Sequence, residues 1–171
     1  LGFLKNLNTL QAQRGFWFLL DKLSYRNLKQ SIKKNEGYSL RPYKDQLGFL
    51  TIGYGHLILS SEKKLINKNI KKKKLEKIFT NDFNKALNDF NKFFKPLIKK
   101  QKDSELLIEM IFQMGVLKVL LFKKLLNNIH KPNKYMVCFE MMNSLWYIQT
   151  PKRVKIMITK FLKKWVRVIF S

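Results

Sequence analysis

Glu36, Asp45 and Thr51 are the residues of this sequence whose types and spacing could do chemistry together. Two carboxyl groups and a hydroxyl suit hydrolysis of a glycosidic bond. One carboxyl must be protonated, to donate to the leaving oxygen. The other must be ionised, to activate water or to support positive charge on the sugar. A threonine hydroxyl both donates and accepts, so it can hold a water for attack. Acids are scarce, 11 Asp and Glu against 35 Lys and Arg, which gives two in one short segment added weight. Spacing alone leaves a plainer account open, in which Glu36 is an exposed helix-end acid and Asp45 a turn residue.

The elements around these residues must bring them together. Residues 25–36 carry Leu28 and Ile32 at i and i+4, which predicts a helix ending at Glu36. Gly37 follows, where a left-handed C-terminal cap is common. Residues 41–56 alternate apolar and polar and contain Pro42, Gly48, Gly53 and Gly55. They predict a β-hairpin with its turn near Asp45 to Gly48. If it closes near Gln46 and Leu47, Asp45 and Thr51 lie across from one another. Residues 62–74 are lysine-rich, with Leu65, Ile66 and Ile70 interspersed.

From Leu75 onward the pattern is helical. Leu75, Ile78, Phe79, Phe83 and Leu87 follow i, i+3, i+4 spacing, and Pro96 ends that run. Leu106 to Met114 predicts an apolar helix. Thr150-Pro151 predicts a helix start, with Thr as N-cap and Pro at the first position. Val154, Met157, Ile158, Phe161 and Trp165 form its apolar face. The lead, residues 1–24, places Leu4, Leu7 and Leu10 on one helical face until Gly15 interrupts, and reads as an extension of unknown role. The expected fold class is α+β and mainly helical. A small lobe (25–74) holds the hairpin, a helix (75–95) connects, and a larger helical lobe (96–171) follows.

The 171 residues, 46% hydrophobic and 27% charged, have globular composition. A net charge of +24 points to a polyanionic target: nucleic acid, an anionic membrane or a bacterial cell wall. Abundant Lys, Asn, Ile and Phe also suggest an AT-biased genome, which weakens the charge argument. The single cysteine, Cys138, excludes an internal disulfide framework and a multi-Cys zinc site. His56 and His130 are the only histidines, so a two-His metal site has no spare ligand. No apolar run approaches the roughly 20 residues that span a bilayer. The chain begins at Leu1 rather than Met, as a fragment of a longer chain would.

Around the trio, Glu36-Gly37, Tyr43-Lys44-Asp45 and the run from Gly48 through Thr51-Ile52-Gly53-Tyr54-Gly55-His56 to Leu57 closely resemble the active-site segment of the phage-type lysozymes, glycoside hydrolase family 24. Two later segments resemble the same family in the same order: Met110 to Gly115, its central buried helix, and Ser144 to Arg153, its Trp-Tyr-x-Gln-Thr-Pro-x-Arg segment. The resemblance covers most of residues 28–162; the lead matches nothing.

The resemblance implies that Glu36 is the general acid and that Asp45 and Thr51 position the attacking water, with inversion of the product. The substrate would be the β-1,4 bond between N-acetylmuramic acid and N-acetylglucosamine in peptidoglycan. Inversion predicts carboxyl groups roughly 6.5–9.5 Å apart. It further implies that Arg153 pairs with Glu36 and that His56 and Asp82 form a fold-stabilising pair. Leu57, Phe112 and Gln113 would line the sugar site; plain core packing is the alternative for Phe112. Arg153 would lower the pKa of Glu36 while burial raised it, a balance open at this level.

No metal or organic cofactor is implied. The expected partners are bacterial peptidoglycan and an anionic wall or membrane surface, with no specific nucleic acid. The chain would be a monomer unless it belongs to a phage baseplate protein. The implied settings are an endolysin passing from host cytoplasm to wall and periplasm, or a tail-associated lysozyme on the virion.

Departures from the family pattern concern the sugar subsites. The stretch from His56 to Leu75 is shorter than in the T-even phage enzyme, which implies a lost strand or loop. The run Val116 to Phe122 lacks the family's glycines and could fuse two helices. By ungapped extension two sugar-contacting positions fall on Leu125 and Glu140 instead of polar residues. Two rival accounts stay open here. One is a cationic protein acting through the basic amphipathic segment Lys152 to Phe170. The other is a degenerate lysozyme fold that binds wall without cutting it.

Overall fold

The computed structural model describes residues 25–45, 48–66 and 70–169. The expectations for the lead and for the turn tip at Gln46 and Leu47 lie outside the described residues, as does the side chain of Trp165.

The first helix, α1 (Arg26–Glu36), forms because Leu28 and Ile32 make one apolar stripe, and both are buried. Lys33 and Lys34 in its last turn complement the negative end of the helix dipole. Gly37 ends it at φ 74° and ψ −169°. That is positive φ with an extended ψ, not the left-handed helical cap expected. The chain thus leaves straight into a strand.

Strands β1 (Ser39–Lys44), β2 (Leu50–Gly53) and β3 (His56–Leu57) form an antiparallel sheet in the order β1-β2-β3. Pro42 lacks an N–H and is tolerated because β1 is an edge strand, and the register shifts between Ser39 and Tyr43. Thr51 pairs with Tyr43 and Leu50 with Lys44. Asp45 therefore lies beyond the ladder, in the turn, and not directly across from Thr51 as expected.

A 3-10 helix (Ser60–Leu65) leads to α2 (Lys72–Phe93), whose 22 residues run about 33 Å. Leu75 on α2 joins Ile52, Leu65 and Ile70 in a small apolar cluster under the sheet. Phe79, Phe83, Leu87 and Phe90, further along the same stripe, join the main core. One helix thus feeds two cores, and Leu28 and Ile32 of α1 belong to the main one.

The remaining helices pack around α3 (Gln101–Met114). Its residues from Leu106 to Ile111 are buried on every side, the mark of a central helix. Gly115 then turns at φ 81° and separates α3 from α4 (Val116–Leu120), so the two helices are not fused. After α5 (Lys123–Asn128) and α6 (Tyr135–Met142) comes α7 (Leu145–Gln149), capped by the Ser144 hydroxyl on the Tyr147 N–H at 3.1 Å.

The last helix is α8 (Pro151–Ile169), with Val154, Met157 and Phe161 buried. Thr150 precedes it but does not cap it with its side chain. Its hydroxyl donates back to the Trp146 carbonyl at 3.0 Å, closing α7 instead. None of the described helices is long and apolar enough to cross a membrane.

Candidate active site

The end of α1, the sheet and the start of α8 converge on Glu36. Its side chain is only 7% exposed, and Arg153 Nη2 donates to its Oε2 at 2.6 Å. The two residues are 117 positions apart, joined because Arg153 sits in the first turn of α8. Gly55, in the turn between β2 and β3, passes directly over the carboxyl. A Cβ added there would lie 2.9 Å from Glu36 Oε2.

The electrostatic balance at Glu36 follows from this packing. Burial, the largest effect, raises its pKa; the Arg153 charge lowers it; the Glu109 charge raises it; the Arg153 hydrogen bond lowers it. The net direction is upward from the ordinary carboxylate value. Burial thus outweighs a direct ion pair, and the carboxyl is moved toward the protonated form a general acid needs.

Asp45 and Thr51 meet through Phe49. Asp45 Oδ1 accepts from the Phe49 N–H at 2.8 Å, and the Thr51 hydroxyl donates to the Phe49 carbonyl at 3.1 Å. Two backbone bonds close the turn, Asp45 N–H to Phe49 O at 2.9 Å and Gly48 N–H to Asp45 O at 3.0 Å. Thr51 is buried. Its hydrogen is committed to a carbonyl, so its oxygen faces any water as an acceptor.

Tyr43, Thr51 and Leu57 form a row across the sheet, since residues opposite one another share a face. Leu57 is 47% exposed on this row. Burial raises the Tyr43 pKa first, and Glu36, Arg153 and Asp45 all act on it. Tyr43 therefore lies among the three charged groups of the site. Its place two residues before Asp45, in the Tyr-Lys-Asp segment, is the sequence signal for it.

The other anticipated positions separate into groups. Phe112 is half-buried against the main core, its ring 5.6 Å from Phe79. Gln113 Nε2 donates to Met157 Sδ at 3.3 Å, and Met157 is one turn past Arg153 on α8. Gln113 Oε1 is buried with no hydrogen-bond partner among the described residues. Leu125, where ungapped extension put a non-polar residue at a family sugar-contacting position, is 0% exposed, a core residue of α5. Glu140 is half-buried on α6.

His56 and Asp82 stand apart from Glu36, joining β3 to α2. His56 Nδ1 lies 2.8 Å from Asp82 Oδ2, and Nε2 lies 3.0 Å from Glu62 Oε2. The Glu62 contact was not anticipated, because residues 62–74 read only as a lysine-rich stretch. Two carboxylates on two ring nitrogens require both nitrogens to donate, hence an imidazolium. The Asp82 hydrogen bond is the largest cause raising the His56 pKa, with burial opposing.

The chain is similar in sequence to known proteins. The sequence model of the phage lysozyme family matches residues 33–160. A Dictyostelium discoideum protein named probable T4-type lysozyme 1 is 36% identical, the match covering 74% of this chain and 88% of that one. Probable T4-type lysozyme 2 from the same organism is 34% identical, covering 79% and 93%. With the α+β architecture described above, these matches establish that the chain belongs to the phage lysozyme family and is a glycoside hydrolase.

Proposed function

We propose that this enzyme is an N-acetylmuramidase. It hydrolyses the β-1,4 bond between N-acetylmuramic acid and N-acetylglucosamine in peptidoglycan, with inversion. The observation that carries the reading is the buried Glu36 carboxyl, raised in pKa despite the Arg153 guanidinium at 2.6 Å.

Protonated Glu36 gives its proton to the glycosidic oxygen as the bond from the sugar C1 breaks. The positive charge developing on the sugar ring is met by a water held on the opposite face. That water donates one hydrogen to Thr51 Oγ1 and one to the Asp45 carboxylate, which takes the proton as the oxygen bonds to C1. The backbone N–H and C=O of Phe49 hold the two partners, so their spacing is set by backbone rather than by side-chain rotation. Arg153 receives the Glu36 carboxylate left behind and stabilises its charge.

Leu57 and the half-buried Phe112 offer apolar surface to the sugar faces. Gln113 adds an acceptor, Oε1, that is buried and without a partner among the described residues. The net charge of +24 draws the enzyme to anionic wall polymers and membrane surfaces. The reading concerns the bond and the wall; with relatives in an amoeba, a phage setting is no part of it.

The test compares wild type with Glu36→Gln on purified peptidoglycan, counting new reducing ends. A general acid contributes about 10²–10⁴-fold, so the variant should lose at least that lower factor while its unfolding transition is unchanged. Near-normal release by the folded variant rejects the assignment. Proton NMR of the first-formed product reads the anomer, and a retained β configuration rejects inversion.

A further inference from the structure

The central helix α3 buries a second carboxylate beside the site. Glu109 has a side chain 3% exposed, and its Oε2 accepts from Lys160 Nζ at 2.7 Å. The same ammonium donates to Ser31 Oγ at 2.8 Å, and Asn35 Nδ2 reaches Glu109 Oε1 at 3.4 Å. Ser31 and Asn35 are one turn apart on α1, and Asn35 immediately precedes Glu36. Lys160 lies two turns beyond Arg153 on the same face of α8. α8 thus presents two cations, Arg153 to Glu36 at the end of α1 and Lys160 to Glu109 of α3 and Ser31 of α1.

Stability does not account for a buried carboxylate at this place, whose Lys160 partner stays 34% exposed. An apolar pair of similar volume is often as stable or more so, because two charges must be stripped of water. Glu109 sits among Ile108, Met110 and Ile111, where an apolar residue would fit the pattern.

We propose that Glu109 is a positioning residue for Glu36: through Asn35 and Lys160 it fixes the last turn of α1, and its negative charge acts on the Glu36 carboxyl against that of Arg153. This rests on the muramidase reading above. Glu109 is also among the groups that raise the Glu36 pKa, after burial and opposed by Arg153. The charged and titratable groups around the pair are Lys102 and Glu105 on α3, Lys160 and Arg153 on α8, and Glu36 on α1. Tyr43 of β1 is coupled to Glu36 in turn.

The test follows the Glu36 carboxyl by carbon-13 NMR through a pH titration, alongside pH profiles of wall hydrolysis. The proteins are wild type, Glu109→Gln and the double variant Glu109→Gln/Lys160→Met. The double variant leaves no unpaired charge, so it carries the test if the single variant fails to fold. Both should move the Glu36 midpoint to lower pH, the single variant further. The alkaline limb of activity should move with it, giving a several-fold loss above the limb and little loss on the acidic plateau. A folded variant with the wild-type midpoint, or a loss equal at every pH, overturns the proposal and leaves Glu109 a helix anchor. The NMR readout needs no turnover. A Glu36→Gln enzyme that still cuts wall would therefore overturn the mechanism separately from the coupling.

Discussion

Gly55→Ala should damage catalysis through a single methyl group. The position has φ +84°, a conformation in which an L side chain costs about 1–2 kcal/mol. The new Cβ would lie 2.9 Å from Glu36 Oε2 and 3.5 Å from its Cδ, so the carboxyl must retreat about 0.5 Å to reach ordinary contact. Glu36 cannot swing away cheaply, because Arg153 holds the same oxygen at 2.6 Å. A misplacement of about 1 Å in a reacting group can cost roughly 100-fold, so about half that distance should cost roughly 10-fold in kcat.

The control is Gly115→Ala, at φ +81° with nothing within 4 Å of the added Cβ. It too has a positive φ that L side chains rarely adopt, but it leaves Glu36 alone. Thermal unfolding should show both variants lowered, by about 2–8 °C. Reducing-end release should fall in Gly55→Ala only. Full activity in Gly55→Ala, or equal loss in both, would refute the claim that this glycine sets the place of the acid.

Two further outcomes concern stability. The His56 pKa is raised in the folded state above its ordinary 6.5. Its contribution is therefore complete below about pH 6.5 and lost as pH rises through the folded value. Because Asp82 and Glu62 are each about a third exposed, that contribution should be about 1–2 kcal/mol. Urea unfolding of wild type and His56→Gln across this window should converge at high pH; a pH-independent gap refutes the linkage. Lys134 Nζ bridges Asp103 Oδ1 and Oδ2 at 2.9 and 3.0 Å, both side chains almost wholly buried. Lys134→Met should cost about 3–5 kcal/mol, and Asp103→Leu/Lys134→Met should recover most of it. A single variant as stable as wild type would show the pair to be dispensable.

What the sequence determined by itself is local. The end of α1 at Glu36 follows from Leu28, Ile32 and Gly37. The hairpin bearing Asp45 and Thr51 follows from alternation and glycine placement, and α2 from its phenylalanine spacing. Each depends on neighbours within a few residues, where helix and strand periodicity act. The register was not legible to one residue, because Pro42 and the shift near it decide whether Asp45 or Tyr43 faces Thr51. Arg153 was paired with Glu36 in advance only through family resemblance. Glu62 beside His56 and Glu109 beside Glu36 were not anticipated.

Only the tertiary structure decided the state of the acid. Its pKa is the outcome of opposing effects: water excluded by packing, and charges from α3 and α8. Desolvation and Coulomb interactions depend on distance in space and on what lies between, not on position in the chain. The same reason puts Leu125 in the core, which chain position alone left open.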